Sequence, residues 1–168
     1  YSDYSLGRFF AEAARQPWFE NTIFLVTADH CASSAGPTEI PLQKYHIQAL
    51  ILAPGLIEPG VVDGIVSQID LMPTLLSLLN MSYDSHFYGR SIFDPAYVNR
   101  AFIATYQDLG YHEGDTFTIL SPVRRFEQYR VVPTEENPHH LETMERKDAM
   151  QVDRAIGYYQ TSCKWNKR

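Results

Sequence analysis

Two unbroken apolar runs in the first third of the chain constrain the fold most: TIFLVTA at 22–28 and IQALILA at 47–53. Such runs of large apolar and β-branched residues are typical of strands that are covered on both faces, as in a parallel sheet. Amphipathic patterns at 4–16 and 68–80 predict a helix beside each strand. The sequence therefore predicts an α/β fold with a mostly parallel sheet flanked by helices.

The pattern changes beyond about residue 100. Short alternating runs at 101–106, 116–121 and 127–132 are separated by polar turn signals, and they predict an antiparallel meander. A charged, amphipathic stretch at 141–164 predicts a terminal helix. We divide the chain accordingly into residues 1–95, which carry the α/β pattern, and residues 96–168, which carry the antiparallel strands and the last helix and pack on the same domain.

Composition excludes several functional classes. The chain has 20 acidic and 14 basic residues and a net charge of −6, which argues against a nucleic-acid partner. Its two cysteines, Cys31 and Cys163, form no CxxC pair, so neither a disulfide framework nor a zinc knuckle is expected. The sequence begins at Tyr1 without an initiator methionine, and we expect it to be part of a longer protein.

An aspartate and a histidine, Asp29 and His30, follow the first predicted strand directly. Ligands of α/β proteins collect at the carboxyl ends of strands, and a carboxylate beside an imidazole suits a divalent cation. The alternative is an aspartate that stabilises a turn and a histidine that bonds to the backbone. Asp70 is interpreted differently, because its place near Ser67 in a first helical turn predicts interaction with the positive helix terminus.

Three motifs carry a family resemblance: WFENTIFLVTADH at 18–30, KYHIQALILAPG at 44–55 and VSQIDLMPTLL at 66–76. In this order they resemble the C-terminal half of a sulfatase and alkaline phosphatase superfamily enzyme. Within the superfamily they are most similar to the lipoteichoic acid synthase and phosphoglycerol transferase group. The resemblance implies an alkaline-phosphatase-like α/β domain, of which residues 1–95 would be the C-terminal half.

The resemblance also implies roles for individual residues. Asp29 and His30 would bind the catalytic divalent metal, Mn²⁺ first, with Zn²⁺, Ca²⁺ and Mg²⁺ as alternatives. Lys44 and His46 would contact the phosphate or sulfate of the substrate. A histidine after the aspartate favours phosphoryl transfer over sulfate hydrolysis. The family's nucleophile and remaining metal ligands lie upstream of these motifs, so the isolated chain is expected to be inactive.

The partners that the resemblance implies are the upstream part of the same protein, which completes the active site, and a phosphate or sulfate ester, with a lipid-linked ester as one alternative. The parent protein would sit in the inner or plasma membrane with this domain outside the cytoplasm, and the chain itself would be soluble. The alternative is a non-catalytic structural or interaction module in which Asp29 and His30 are a relic. His139 and His140 are interpreted as a solvated pair, and Arg90 as a surface or packing residue.

Overall fold

The computed structural model describes residues 1–31 and 40–165, without the side chain of Trp165. Much of the predicted loop at 31–45 lies outside these residues. The chain forms two compact units: the first comprises Tyr1–Cys31 and Ile47–Val62, and the second comprises Ala32–His46 and Asp63–Arg168. Within the described ranges, no helix is long and apolar enough to cross a membrane.

The first unit is a helix beside a two-stranded sheet. Its elements are α1 (Ser2–Ala13), β1 (Phe24–Thr27) and β2 (Ala49–Leu52). The ring of Phe24 joins helix to strand, since four other aromatic rings lie within 5.3–6.2 Å of it: Phe9 and Phe10 at edge-to-face angles, and Trp18 and Phe19 tilted. Aromatic rings at such distances attract beyond the area they bury, so this cluster fixes β1 against α1.

The pairing of β1 with β2 corrects one prediction. The two strands do share a sheet, as predicted, but they run antiparallel, with Phe24 opposite Leu52 and Thr27 opposite Ala49. An apolar run indicates burial and carries no information about strand direction, which is why the inference of parallel pairing was wrong. Within this chain β1 is only half-buried and β2 begins exposed, with Leu50 50% exposed.

In the second unit, α2 (Leu71–Leu78) begins where the sequence predicted a helix start. A 3₁₀ turn, Gln68–Asp70, precedes it, and Ser67 and Asp70 form a reciprocal capping box. The Ser67 amide donates to the carboxylate of Asp70 at 3.1 Å. Such a box satisfies amide groups that would otherwise lack partners at a helix start, which confirms the structural interpretation of Asp70.

Asp70 also forms a buried ion pair that the sequence did not indicate. The guanidinium of Arg100 donates to both carboxylate oxygens, at 2.8 and 3.0 Å, and the two side chains are 3% and 0% exposed. The Tyr97 hydroxyl and the Arg90 amide donate to the same carboxylate, each at 2.9 Å. Burial and the nearby carboxylate raise the pKa of Tyr97, which keeps its hydroxyl protonated as a donor. This network ties the start of α2 to the first meander strand.

An antiparallel meander forms the body of the second unit, as predicted, but it has five strands where the sequence indicated three. Its strands follow chain order: β3 (Arg100–Ala104), β4 (Leu109–Glu113), β5 (Thr116–Ser121), β6 (Arg125–Val131) and β7 (Leu141–Thr143). The core on one face contains Ile40, Leu42, Ile103, Phe117 and Ile119. The alternation of core and other residues along β5 is the period-two signal that predicted this strand.

The terminal helix α3 (Ala149–Trp165) begins later than predicted. Residues 141–143, assigned from sequence to the helix, are strand β7, because Leu141 pairs with Val131 and packs against the core. The helix is attached through a buried polar network, in which the side chain of Thr118 donates to Gln151 at 3.0 Å and accepts from Gln128 at 2.9 Å. Buried polar groups require partners of this kind.

Candidate functional site

Asp29 and His30 lie just past the end of β1, in the loop position that the sequence predicted. The strand ends at Thr27, whose hydroxyl lies 3.4 Å from the carbonyl oxygen of Gln48, the residue before β2. Beyond this point the chain is no longer extended, so consecutive side chains are not held on opposite faces. Asp29 and His30 can therefore turn toward each other.

Two short contacts link His30 to the carboxylate of Asp29, and a third holds the His30 ring. The His30 amide donates to Asp29 Oδ1 at 2.9 Å, and His30 Nε2 lies 3.5 Å from Asp29 Oδ2. The other ring nitrogen, Nδ1, lies 2.8 Å from the carbonyl oxygen of Cys31. Because a carbonyl only accepts hydrogen bonds, Nδ1 carries the proton of this contact. Nε2 is then the nitrogen that faces the carboxylate.

This arrangement fits a divalent metal ion. A histidine that ligates a metal usually donates its other N–H to a carbonyl or carboxylate, which fixes the tautomer, and Cys31 provides that carbonyl here. A carboxylate oxygen and an imidazole nitrogen 3.5 Å apart can share one cation. The side chains of Asp29 and His30 are 88% and 65% exposed, so both are accessible. Among residues 1–31 and 40–165, no group of three or more His, Cys, Asp or Glu side chains could hold a metal.

The candidate anion contacts, Lys44 and His46, belong to the second compact unit, whereas Asp29 and His30 belong to the first. Lys44 ends a short 3₁₀ helix, Leu42–Lys44, and is partly exposed. His46 follows it and is exposed. The structure thus describes two accessible cationic or ionisable side chains on the chain segment that enters β2.

His46 contacts a histidine that is distant in sequence. His46 Nδ1 lies 3.1 Å from His139 Nε2, and the two rings are perpendicular, with centroids 5.1 Å apart. Burial, and then the charge of His46, lower the pKa of His139, so His139 stays neutral and is suited to accept from His46. His139 is therefore half-buried against His46 and differs from the solvated histidine that we predicted, while His140 is exposed.

A third histidine, His112 on β4, was not singled out from the sequence. Its Nε2 is buried and has no hydrogen-bond partner within the described ranges. Burial lowers the pKa of His112 to about 4, and the neighbouring His139 acts in the same direction. No sequence signal predicted that His112 would neighbour His139, or that His139 would contact His46. His46 and His139 are 93 positions apart and come together only through the meander.

Comparison with known proteins identifies a family similarity and a structural similarity. Residues 1–81 match the model of the Sulfatase family. A crystal structure of a protein in the alkaline phosphatase superfamily from Vibrio parahaemolyticus is similar over 99% of this chain, with a TM-score of 0.88 and 30% sequence identity. The chain spans 40% of the length of that protein. The similarity confirms the α/β fold class, including the antiparallel meander.

Proposed function

Because the sulfatase match and the structural neighbour support a place for this chain in the alkaline phosphatase superfamily, we propose that it is the metal-binding C-terminal part of a phosphate or sulfate ester enzyme. A phosphoglycerol transferase fits best, and a phosphoric or sulfuric ester hydrolase is the broader form of the proposal. In this assignment residues 1–95 are the C-terminal half of the catalytic domain and residues 96–168 are its extension.

The observation that carries the proposal is the geometry of Asp29 and His30. Cys31 holds the tautomer of His30 so that its Nε2 faces the carboxylate of Asp29, and both side chains are exposed at the end of a strand. A turn aspartate and a backbone-bonded histidine account for the contacts of the His30 amide and of Nδ1, so the approach of Nε2 to the exposed Asp29 carboxylate, at 3.5 Å, is the contact that favours a metal. A divalent cation, when bound, would polarise a phosphoryl or sulfuryl oxygen and lower the pKa of an attacking hydroxyl.

The residues of this chain have three tasks in the proposed reaction. Asp29 contributes negative charge to the metal site, and His30 contributes a neutral nitrogen whose orientation Cys31 fixes. Lys44 and His46 bind the anionic group of the substrate, because hydrogen-bond donors stabilise the charge that develops on its oxygens. The upstream part of the same protein supplies the nucleophile and the remaining metal ligands. A lipid-linked substrate at the outer face of a membrane accords with the transferase assignment.

Two assays test the proposal. The 168-residue chain should not hydrolyse p-nitrophenyl phosphate or p-nitrophenyl sulfate with Mn²⁺ present. The protein extended by its upstream residues should bind Mn²⁺ in a calorimetric titration, and Asp29→Asn should weaken that binding at least tenfold. An extended protein that binds no divalent metal would instead favour the non-catalytic module with a relic pair.

A further inference from the structure

Two hairpin turns of the meander lie at the same end of the sheet. Leu109, which follows the β3–β4 turn, pairs with Leu120, which precedes the β5–β6 turn. Because both turns adjoin this one pair, their side chains lie at the same end of the sheet. We call this end of the sheet the basic sheet end and define it by Tyr106, Val123, Arg124, Arg125, Phe126 and Lys164.

The first turn presents a fully exposed aromatic ring. The Thr105 hydroxyl accepts from the amides of Gln107 and Asp108, at 3.4 and 3.0 Å, and the Thr105 amide donates to the Asp108 carbonyl at 2.9 Å. This bonding closes the turn tightly. Tyr106 at its tip is 100% exposed, whereas Asp108 is only 5% exposed.

The second turn is strained. Val123 and Arg124 have φ values of +59° and +58°, and the Arg125 amide donates to the Pro122 carbonyl at 3.5 Å. Two successive positive φ values are the requirement of a type I′ turn, which normally contains Asn and Gly. A β-branched residue in this conformation is an outlier, and such strain clusters at functional sites. Val123 is nevertheless 97% exposed, with Phe126 42% exposed beside it.

The terminal helix adds charge to the same end of the sheet. Tyr159 donates to the carbonyl oxygens of Ile103 and Gly110, at 3.0 and 2.8 Å, whereas Gln151, two turns earlier, donates to the carbonyl of Glu113 at the other end of β4. Helix α3 therefore runs toward the basic sheet end. Its Lys164 is exposed, as are Arg124 and Arg125.

We propose that the basic sheet end binds the surface of an anionic phospholipid membrane. It places three cations and three exposed apolar or aromatic side chains at one end of the sheet in a chain whose net charge is −6. Basic residues are attracted to anionic headgroups, while a tyrosine ring and short apolar side chains insert at the boundary between headgroups and acyl chains.

A membrane explains this combination better than an acidic protein does. Tyr106 and Val123 lie at two separate hairpin tips and Phe126 lies near the start of β6, which suits shallow insertion into a fluid layer. An interface with a folded protein would normally require a contiguous, packed patch. The proposal does not depend on the ester chemistry, since neither Asp29 nor Lys44 takes part.

Vesicle flotation with the 168-residue chain tests the proposal. The chain should float with vesicles of phosphatidylcholine and phosphatidylglycerol in a 7:3 ratio, and about tenfold less with pure phosphatidylcholine. Raising the salt from 50 to 500 mM should weaken the binding, because it screens exposed charges. Equal binding to both vesicles, no flotation, or equal retention on lipid-free dextran sulfate beads would overturn the proposal.

Paired variants locate the surface. V123N/R124G relieves the turn strain, so the chain should stay folded and melt at a higher temperature while its vesicle partition coefficient falls about tenfold. The control V61N/R15G makes the same chemical changes at exposed positions of the first unit and should bind like the parent chain. Unchanged binding by V123N/R124G, or an equal loss in the control, would show that the membrane contact lies elsewhere.

Discussion

The buried ion pair of Asp70 and Arg100 predicts a large loss of stability in Asp70→Asn. Oδ2 of Asp70 accepts from Ser67, Tyr97 and Arg100, and Oδ1 accepts from Arg90 and Arg100. In either orientation of the asparagine amide, its NH₂ group faces at least two donors and leaves them unsatisfied. Each unsatisfied donor costs about 1–3 kcal/mol, and the unpaired buried guanidinium adds to this cost. We therefore expect the free energy of unfolding to fall by about 3–5 kcal/mol.

Urea unfolding followed by far-UV circular dichroism measures this loss. The expected decrease corresponds to a melting temperature lower by roughly 6–20 °C for a chain of this size. Asp115→Asn is the matched control, because Asp115 pairs with Arg130 at 3.3 Å while the two side chains remain 64% and 57% exposed. That control should change stability by less than about 1 kcal/mol. Equal, small effects of the two substitutions would refute the assignment of Asp70 as the buried anchor.

Two other predictions concern a histidine and a pair of glycines. The pKa of His112 is near its ordinary value in the unfolded chain and about 4 in the folded chain. Its contribution to stability should therefore be complete above about pH 6.5 and lost as the pH falls toward 4. The substitution His112→Gln should flatten the stability profile in that window. A Cβ at Gly89 would lie 1.9 Å from the carbonyl oxygen of Ile69, so Gly89→Ala should lower stability by about 1–3 kcal/mol. Gly157→Ala, in α3 with nothing within 4 Å of the added carbon, should raise stability by about 1 kcal/mol in the same urea assay.

The elements that the sequence predicted well are those whose signals are local. The helical spacing before Pro17, the capping pattern at Ser67 and the alternation in β5 each determine one element without reference to distant residues. Strand direction is a property of the pair, and the apolar runs at 22–28 and 47–53 carried no information about it. Strand β4 was missed because its polar residues His112 and Glu113 resembled a turn.

In the candidate site, too, the local features could be predicted from the sequence and the contacts between distant residues could not. Asp29 and His30 are adjacent, so their convergence at a strand end could be predicted from the sequence. The contact of His46 with His139 and the ion pair of Asp70 with Arg100 join residues 93 and 30 positions apart, and only the folded chain brings them together. The strain at Val123 also escaped detection, since nothing in its local sequence resembles a type I′ turn.

Titration of the extended protein with Mn²⁺ by calorimetry tests the central proposal most directly. The 168-residue chain, which contributes Asp29 and His30, should bind Mn²⁺ weakly, because two ligands do not complete a coordination shell. The protein with its upstream residues should bind Mn²⁺ tightly at one site, and Asp29→Asn with His30→Ala should abolish that binding. Tight binding that survives the double substitution would place the metal elsewhere and would contradict the account.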